Sequence, residues 1–149
     1  MSRRAAREMV LHLLFSNEYL NKPGRELLDA ELGAERLNSL SAECELYEKP
    51  PVSSQREYIE SSVIGVTEHI PELDLYIEKY SLKWDVGRIS VISKCILRLS
   101  MYETLYMNIP VGASVNEALE LAKRYDGEEA AAFINGIMGA FVKNELPNE

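Results

Sequence analysis

The sequence has few of the residues and patterns that mark enzymes and metal proteins. Two cysteines and two histidines occur among its 149 residues, and neither a CxxC pair nor a cluster of Cys and His ligands is present. A Gly-rich phosphate loop, an HExxH pattern and a GxSxG pattern are also absent. We therefore predict no catalytic residue, no metal ligand and no cofactor. For Cys95, a buried thiol is a better prediction than a metal ligand or a disulfide.

Long hydrophobic runs are missing too. The sequence has no stretch of about 18 apolar residues, the length that a membrane-spanning helix needs. The first residues, Met1-Ser2-Arg3-Arg4, lead into an amphipathic stretch and not into the apolar core of a signal peptide. With 46% apolar residues, the composition is that of a globular protein. We expect a cytoplasmic protein of single-domain length.

The sequence also lacks an excess of basic residues. The formal net charge is −8, which argues against a surface that coats nucleic acid non-specifically. Basic residues are nevertheless concentrated at the N-terminus, where Arg3, Arg4 and Arg7 precede the first acidic residue, Glu8. An acidic body with a cationic N-terminal patch favours binding of a polyanion at one defined site.

Apolar residues at helical spacing dominate the stretch that follows Trp84. Their width around the helix predicts a buried central helix. The stripe consists of Ile89, Ile92, Ile96 and Leu99, widened by Cys95, Tyr102, Leu105 and Tyr106.

Two more helices are predicted after Pro110, which cannot continue a helix. Ser114 to Glu117 has the pattern of a capping box and predicts a helix start at Ser114. Asp126-Gly127 predicts a break, with Asp126 able to cap the last helix. The predicted core face of that helix is Ala130, Ile134, Ile137, Met138 and Phe141.

The N-terminal half also has helical periodicity, and a turn follows Leu20. The predicted segments are Ser2 to about Leu20, Glu26 to about Tyr47, the region around Tyr58 to Val66, and Leu73 to Tyr80.

Taken together, these segments predict an all-α fold of two small helical bundles. We predict one compact domain over residues 1–149, with an N-terminal helical subdomain at about 1–83 and a C-terminal helical bundle at about 84–143.

The predicted first helix carries a candidate binding surface. Its three arginines lie at the helix start, where the macrodipole favours acids, and guanidinium geometry suits phosphate. His12 and Ser16 continue the polar strip of Arg4 at intervals of four residues. A merely solvated polar face remains the alternative.

The last predicted helix carries a second candidate surface. Phe133 lies at the edge of the apolar stripe, Glu129 shares that edge, and Asn135 lies on the other flank. An exposed ring can stack on an unpaired base, and Asn can hydrogen-bond a base edge. The alternatives are core packing for Phe133 and a role as an N-terminal helix acid for Glu129.

An ordered set of motifs resembles the NusB family of bacterial transcription antitermination factors. The resemblance covers about residues 84–139, with a weaker match at Ser2–Tyr19. Its motifs are Arg88-Ile89, Ile96-Leu97-Arg98-Leu99, Tyr102-Glu103, Ile109-Pro110, Val115-Asn116-Glu117-Ala118, Leu121-Ala122-Lys123 and Phe133-Ile134-Asn135-Gly136.

The resemblance implies binding of a short boxA-type single-stranded RNA together with the small-subunit ribosomal protein that acts as Nus factor E. In the family this binding makes the elongation complex resist termination during ribosomal RNA synthesis. The implied protein contact lies on the central helix around Arg88, Ser93 and Lys94. The implied RNA contacts are Arg3, Arg4, Arg7, His12, Ser16, Tyr125, Glu129, Phe133 and Asn135.

The sequence departs from the family pattern at Ser93, where relatives often have an acid, at Gly112, where they often have a basic residue, and at Phe15, where tyrosine is common. Two alternatives remain open. One is a helical protein-interaction module without RNA binding. The other is the RNA-binding domain of an rRNA methyltransferase, against which the lack of a cofactor-binding region in these residues argues. Self-association into a homodimer also remains open.

Overall fold

A computed structural model describes residues 2–31, 53–81 and 89–147, and every regular element in these ranges is an α-helix. The all-α prediction is therefore confirmed. Most of the helical stretch predicted from Glu26 to Tyr47, together with Cys44, Trp84 and Arg88, lies outside the described residues. The helices are α1 (Arg3–Leu20), α2 (Gly24–Glu31), α3 (Ser53–Glu68), α4 (Ile70–Tyr80), α5 (Val91–Tyr106), α6 (Val111–Tyr125) and α7 (Glu128–Glu145).

The chain divides into two compact units, Met1–Glu68 and His69–Glu149. We predicted a boundary near residue 83, but α4 packs against α5 and α7 and so falls in the second unit. The apolar face of α4 explains this difference, since Leu73 and Ile77 are buried. The single-domain arrangement itself stays a prediction.

In the first unit, α1 packs chiefly against α3, and α3 also packs against α2. Ser2 caps α1, because its hydroxyl accepts a hydrogen bond of 3.0 Å from the Ala5 amide. The helix ends at Asn21, which takes the left-handed conformation (φ 51°) that asparagine tolerates. The buried apolar residues include Ala6, Met9, Val10, Leu13 and Leu14 of α1, Leu27 and Leu28 of α2, and Tyr58, Ile59, Val63 and Val66 of α3.

Gly24, the first residue of α2, is needed because the helices approach closely there. A Cβ atom at this position would lie 2.6 Å from Thr67 Oγ1 and 2.9 Å from the Ile64 Cα of α3. The Thr67 hydroxyl is held by a 2.8 Å hydrogen bond to the Val63 carbonyl, so it is not free to move aside. Only glycine fits this contact without a shift of the backbone.

In the second unit, α5 is buried on nearly every side, as a central helix requires. Every residue from Cys95 to Met101 is buried, and Cys95 is a free thiol with 0% exposure. The end of the helix is more open than predicted, since Tyr106 is 47% exposed. The predicted buried central helix is thus observed, beginning at Val91 with Ser90 as its cap.

The predicted start of α6 at Ser114 is wrong. The helix begins at Val111, directly after Pro110, and Ser114 is only 1% exposed within its first turn. The Ser114 hydroxyl bonds sideways to two α5 groups, lying 2.9 Å from Ser100 Oγ and donating to Glu103 Oε1 at 2.8 Å. A hydroxyl that resembled a cap in sequence is a buried link between helices instead.

The predicted core face of α7 is largely observed, with one shift. Ala130 is half-buried, and Ala131 is buried in its place, while Ile134, Ile137, Met138 and Phe141 are buried as predicted.

Candidate functional site

The start of α1 presents the arginines unequally. Arg3 and Arg4 are exposed, whereas Arg7 is only 6% exposed. Arg3 Nε donates a 2.7 Å hydrogen bond to Gln55 Oε1, and its guanidinium carbon lies 4.3 Å from the centre of the Tyr58 ring. The Arg7 guanidinium carbon lies 5.6 Å from the same ring.

These contacts hold two of the cations in place. The first turn of α1 contains no acidic residue, so the positive end of the helix adds to the positive charge of the side chains. Each arginine over the Tyr58 ring gains roughly 0.5–1 kcal/mol or more from the cation–π contact, which offsets part of that repulsion. The exposed positive surface at the start of α1 is formed by Arg3 and Arg4, and Gln55 and Tyr58 hold Arg3 in place.

Farther along α1, His12 and Ser16 are half-buried. Tyr19 is a third candidate residue for this surface that the sequence analysis did not identify. It follows Ser16 by three positions and is 75% exposed. Its ring lies edge-on to Phe15, with centroids 5.8 Å apart and an interplanar angle of 71°. The missed signal was an aromatic residue that continues the polar strip and does not face the core.

The second predicted surface lies in the other unit, at the end of α6 and on α7. Glu129 and Asn135 are exposed, and Tyr125 is 36% exposed with the Arg124 guanidinium carbon 5.6 Å from its ring centre. Phe133, in contrast, is only 7% exposed. Its ring offers little area to a base, so the core-packing alternative fits Phe133 better.

A hydrogen-bonded junction joins the start of α5 to the end of α6. Asp126 Oδ2 accepts hydrogen bonds from the hydroxyls of Ser90 and Ser93, the latter at 2.7 Å. Asp126 was predicted to cap α7, but Gly127 occupies that cap with φ 97°. The carboxylate is used by α5 instead, which sequence proximity could not reveal.

This junction alters the predicted protein contact. Ser93 is 1% exposed, so its side chain faces the junction and is not available to a partner in this structure. Lys94 is half-buried, Val91 is 36% exposed, and Arg88 lies outside the described residues. A contact at the start of α5 would therefore rely on Lys94 and Val91.

Two absences hold for the described ranges, residues 2–31, 53–81 and 89–147. No group of three or more His, Cys, Asp or Glu side chains there could hold a metal ion. None of the helices in these ranges is both long enough and apolar enough to cross a membrane.

Fold and surface together define an all-α protein of two helical units with an arginine-bearing first helix. Residues 4–143 match the model of the NusB family. The transcription antitermination protein NusB of a Thermoanaerobacter species is 41% identical over 97% of this chain and 93% of its own length. The chain belongs to the NusB family.

Two solved structures have the same fold. T. maritima NusB superposes with a TM-score of 0.79 and 28% identity, covering 99% of this chain and 94% of that one. A crystal structure of antitermination factors NusB and NusE in complex with dsRNA contains a chain with a TM-score of 0.75 and 23% identity. That match covers 95% of this chain and 96% of the other, and at this identity it shows the fold alone.

Proposed function

We propose that this protein is a non-enzymatic transcription antitermination factor. It binds boxA-type single-stranded RNA together with the small-subunit ribosomal protein that acts as Nus factor E, and so supports ribosomal RNA transcription in the cytoplasm. Membership in the NusB family supports the proposal. In one solved structure of the same fold, antitermination factors NusB and NusE are in complex with dsRNA, and the RNA and protein partners proposed here follow that pairing.

The single observation that carries RNA binding is the exposed pair Arg3 and Arg4 on a chain of net charge −8. A mostly acidic surface repels a polyanion, so a short cationic start confines binding to one region. Guanidinium groups can bind phosphate through two parallel hydrogen bonds, which fixes the position of the RNA backbone.

Beside this cationic start, α1 offers a surface for bases. His12 and Ser16 can donate or accept hydrogen bonds, and Tyr19 is 75% exposed. Base stacking on an aromatic ring contributes about 1–3 kcal/mol and tolerates any base. Phosphate contacts at one end and a stacking ring farther along would suit a short single strand.

On the second unit, we propose Tyr125, Glu129 and Asn135 as the RNA-facing residues, since each is exposed. Glu129 does not attract phosphate, so its role would be to accept hydrogen bonds from base amino groups. Its position in the first turn of α7 also suits the helix dipole, which gives it a structural role without RNA.

In this proposal, the partner protein supplies contact area that one short cationic surface lacks. Few phosphate contacts give weak RNA affinity, so a second protein must add contact area for a specific complex. Because binding linkage is reciprocal, each ligand should tighten the other by the same factor, with a coupling of roughly 1–3 kcal/mol.

A titration tests this proposal. Fluorescence anisotropy with labelled boxA-type RNA, a scrambled strand and a double-stranded form should be measured with and without the ribosomal protein. We expect preference for the boxA-type strand and about 5- to 150-fold tighter binding when the ribosomal protein is present. If the ribosomal protein neither binds nor changes the RNA titration, antitermination fails as the function.

One observation favours a second candidate, a protein-interaction module without RNA binding. Arg3 and Arg7 are already engaged with Gln55 and Tyr58, so their charges also serve the packing of α1 on α3. Equal and negligible affinity for all three RNAs would favour this candidate.

A further inference from the structure

An aromatic cluster lies where the start of α4 meets the end of α5. The ring centroids of His69 and Tyr106 are 4.7 Å apart, and those of Tyr102 and Tyr106 are 5.1 Å apart. His69 also lies 5.4 Å from Tyr102. We call His69, Glu72, Tyr102 and Tyr106 the Tyr106 cluster.

Glu72 is the charged member of the cluster. The Tyr106 hydroxyl donates to both of its carboxylate oxygens, at 2.8 Å each. A carboxylate has about four lone-pair positions, so acceptor capacity remains. Among the residues that the structure describes, no lysine or arginine forms an ion pair with Glu72. The cluster therefore has a negative charge that a cation from outside could neutralise.

The cluster is also open to solvent. Tyr106 is 47% exposed although two rings lie against it. Leu75, one helical turn after Glu72 on α4, is 67% exposed. Tyr106 and Leu75 thus both offer exposed apolar area on the elements that carry Glu72 and its hydrogen-bond donor.

We propose that the Tyr106 cluster is a docking site for an arginine side chain of a partner protein. A guanidinium can neutralise the charge of Glu72 by donating hydrogen bonds to its carboxylate, and it can lie over the Tyr106 ring at the same time. Leu75 is exposed three residues after Glu72 on the same helix, so we assign it to contact an apolar part of the partner. An ammonium group satisfies the charge but stacks less well, and an RNA phosphate is repelled by Glu72.

The protonation state of Tyr106 is consistent with arginine docking at the Tyr106 cluster. Hydrogen bonding to Glu72, followed by burial, raises the pKa of Tyr106 to about 12. The hydroxyl therefore stays protonated and directs its proton at Glu72 at physiological pH. A tyrosine whose hydroxyl donates to an anion has an electron-rich ring, which favours a cation over its face.

This surface goes beyond the proposed function. Ser93 and Tyr106 are separated by 13 positions on α5, or about 20 Å at 1.5 Å per residue. The cluster is thus separate from the contact proposed at the start of α5. Its occupancy requires neither RNA nor the ribosomal protein.

The test uses hexa-arginine and hexa-lysine peptides at equal ionic strength with the full chain. Calorimetry should give tighter binding of hexa-arginine, and NMR should place its largest shifts at the Tyr106 ring. Glu72→Gln keeps an acceptor for the Tyr106 hydroxyl but removes the charge, and we expect it to weaken hexa-arginine binding about fivefold. Tyr106→Leu should weaken it similarly while the fold, followed by circular dichroism, is retained.

Glu78→Gln is the matched control, because it removes one exposed charge from the same helix without touching the cluster. We expect less than about a twofold effect from it. Equal losses for Glu72→Gln and Glu78→Gln, or equal affinity for the two peptides, would overturn the proposal. Ring shifts caused by a short RNA and not by hexa-arginine would overturn it in favour of a nucleic-acid surface.

Discussion

Replacement of Phe133 by alanine separates a packing role from an RNA role. Phe133 is 7% exposed, so the substitution removes a nearly buried ring and leaves a cavity in the second unit. Buried Phe→Ala substitutions typically cost about 3–5 kcal/mol. Against a typical stability of about 5–15 kcal/mol, this loss is large but leaves a measurable folded population.

The assay has two parts. Urea titration followed by circular dichroism measures the free energy of unfolding, and RNA titration at low temperature measures affinity per folded molecule. We expect a large loss of stability and unchanged affinity, with Phe133→Leu recovering most of the stability. The reasoning is refuted if RNA affinity falls by about 1–3 kcal/mol, the contribution of one stacked base, while stability falls less.

Three further substitutions test individual contacts. Tyr19→Ala should weaken RNA binding by about 1–3 kcal/mol with little effect on stability. The control is Leu20→Ala, at the neighbouring exposed residue, which should change neither RNA affinity nor stability. Equal effects of the two substitutions on RNA affinity would mean that Tyr19 does not stack on a base. Gly24→Ala should cost about 1–3 kcal/mol in a denaturant titration, while Gly136→Ala, whose Cβ would meet nothing within 4 Å, should gain about 0.5–1 kcal/mol. Since the folded-state pKa of Tyr106 is raised from 10.0 to about 12, its contribution to stability is complete below about pH 10 and is lost towards pH 12. Tyr106→Phe should make this alkaline decline shallower, and an unchanged decline would mean that other groups cause it.

Periodicity predicted the elements whose burial decides their structure. The spacing of Ile96 and Leu99 predicted α5 as a central helix, and burial on nearly every side of that helix agrees. The spacing of Ile134 and Phe141 likewise predicted the core face of α7. Buried apolar side chains recur with the period of the α-helix, so a single sequence is enough to predict which face of a helix is buried.

Polar side chains were predicted less well because their partners are distant in sequence. Ser114 and Asp126 both had the local pattern of caps, yet they bond to residues of α5. Gly136 and Gly139 lie within α7, yet both are exposed and neither would meet an atom within 4 Å of an added Cβ. A close approach between helices occurs instead at Gly24, which contacts α3. Nothing in the sequence around Gly24 indicates that α3 lies against it.

Among the candidate RNA-binding residues, the sequence predicted charge but not exposure. Arg3 and Arg4 were identified from charge, and they are exposed. Exposure is a tertiary property, so the sequence could not predict that Arg7 is 6% exposed or that Tyr19 is 75% exposed. Their roles in RNA binding stay predictions until affinity is measured.

The salt dependence of RNA affinity tests the central claim most directly. Each phosphate contact on a single strand contributes about −0.7 to the slope of log K against log salt concentration. If the exposed Arg3 and Arg4 bind one phosphate each, the slope should be about −1.4, and a further contact from Arg7 would bring it to about −2. Replacing all three arginines by alanine should flatten the slope and weaken binding, while Arg7→Ala alone should change it little. An unchanged slope and affinity in the triple variant would contradict RNA binding through the start of α1.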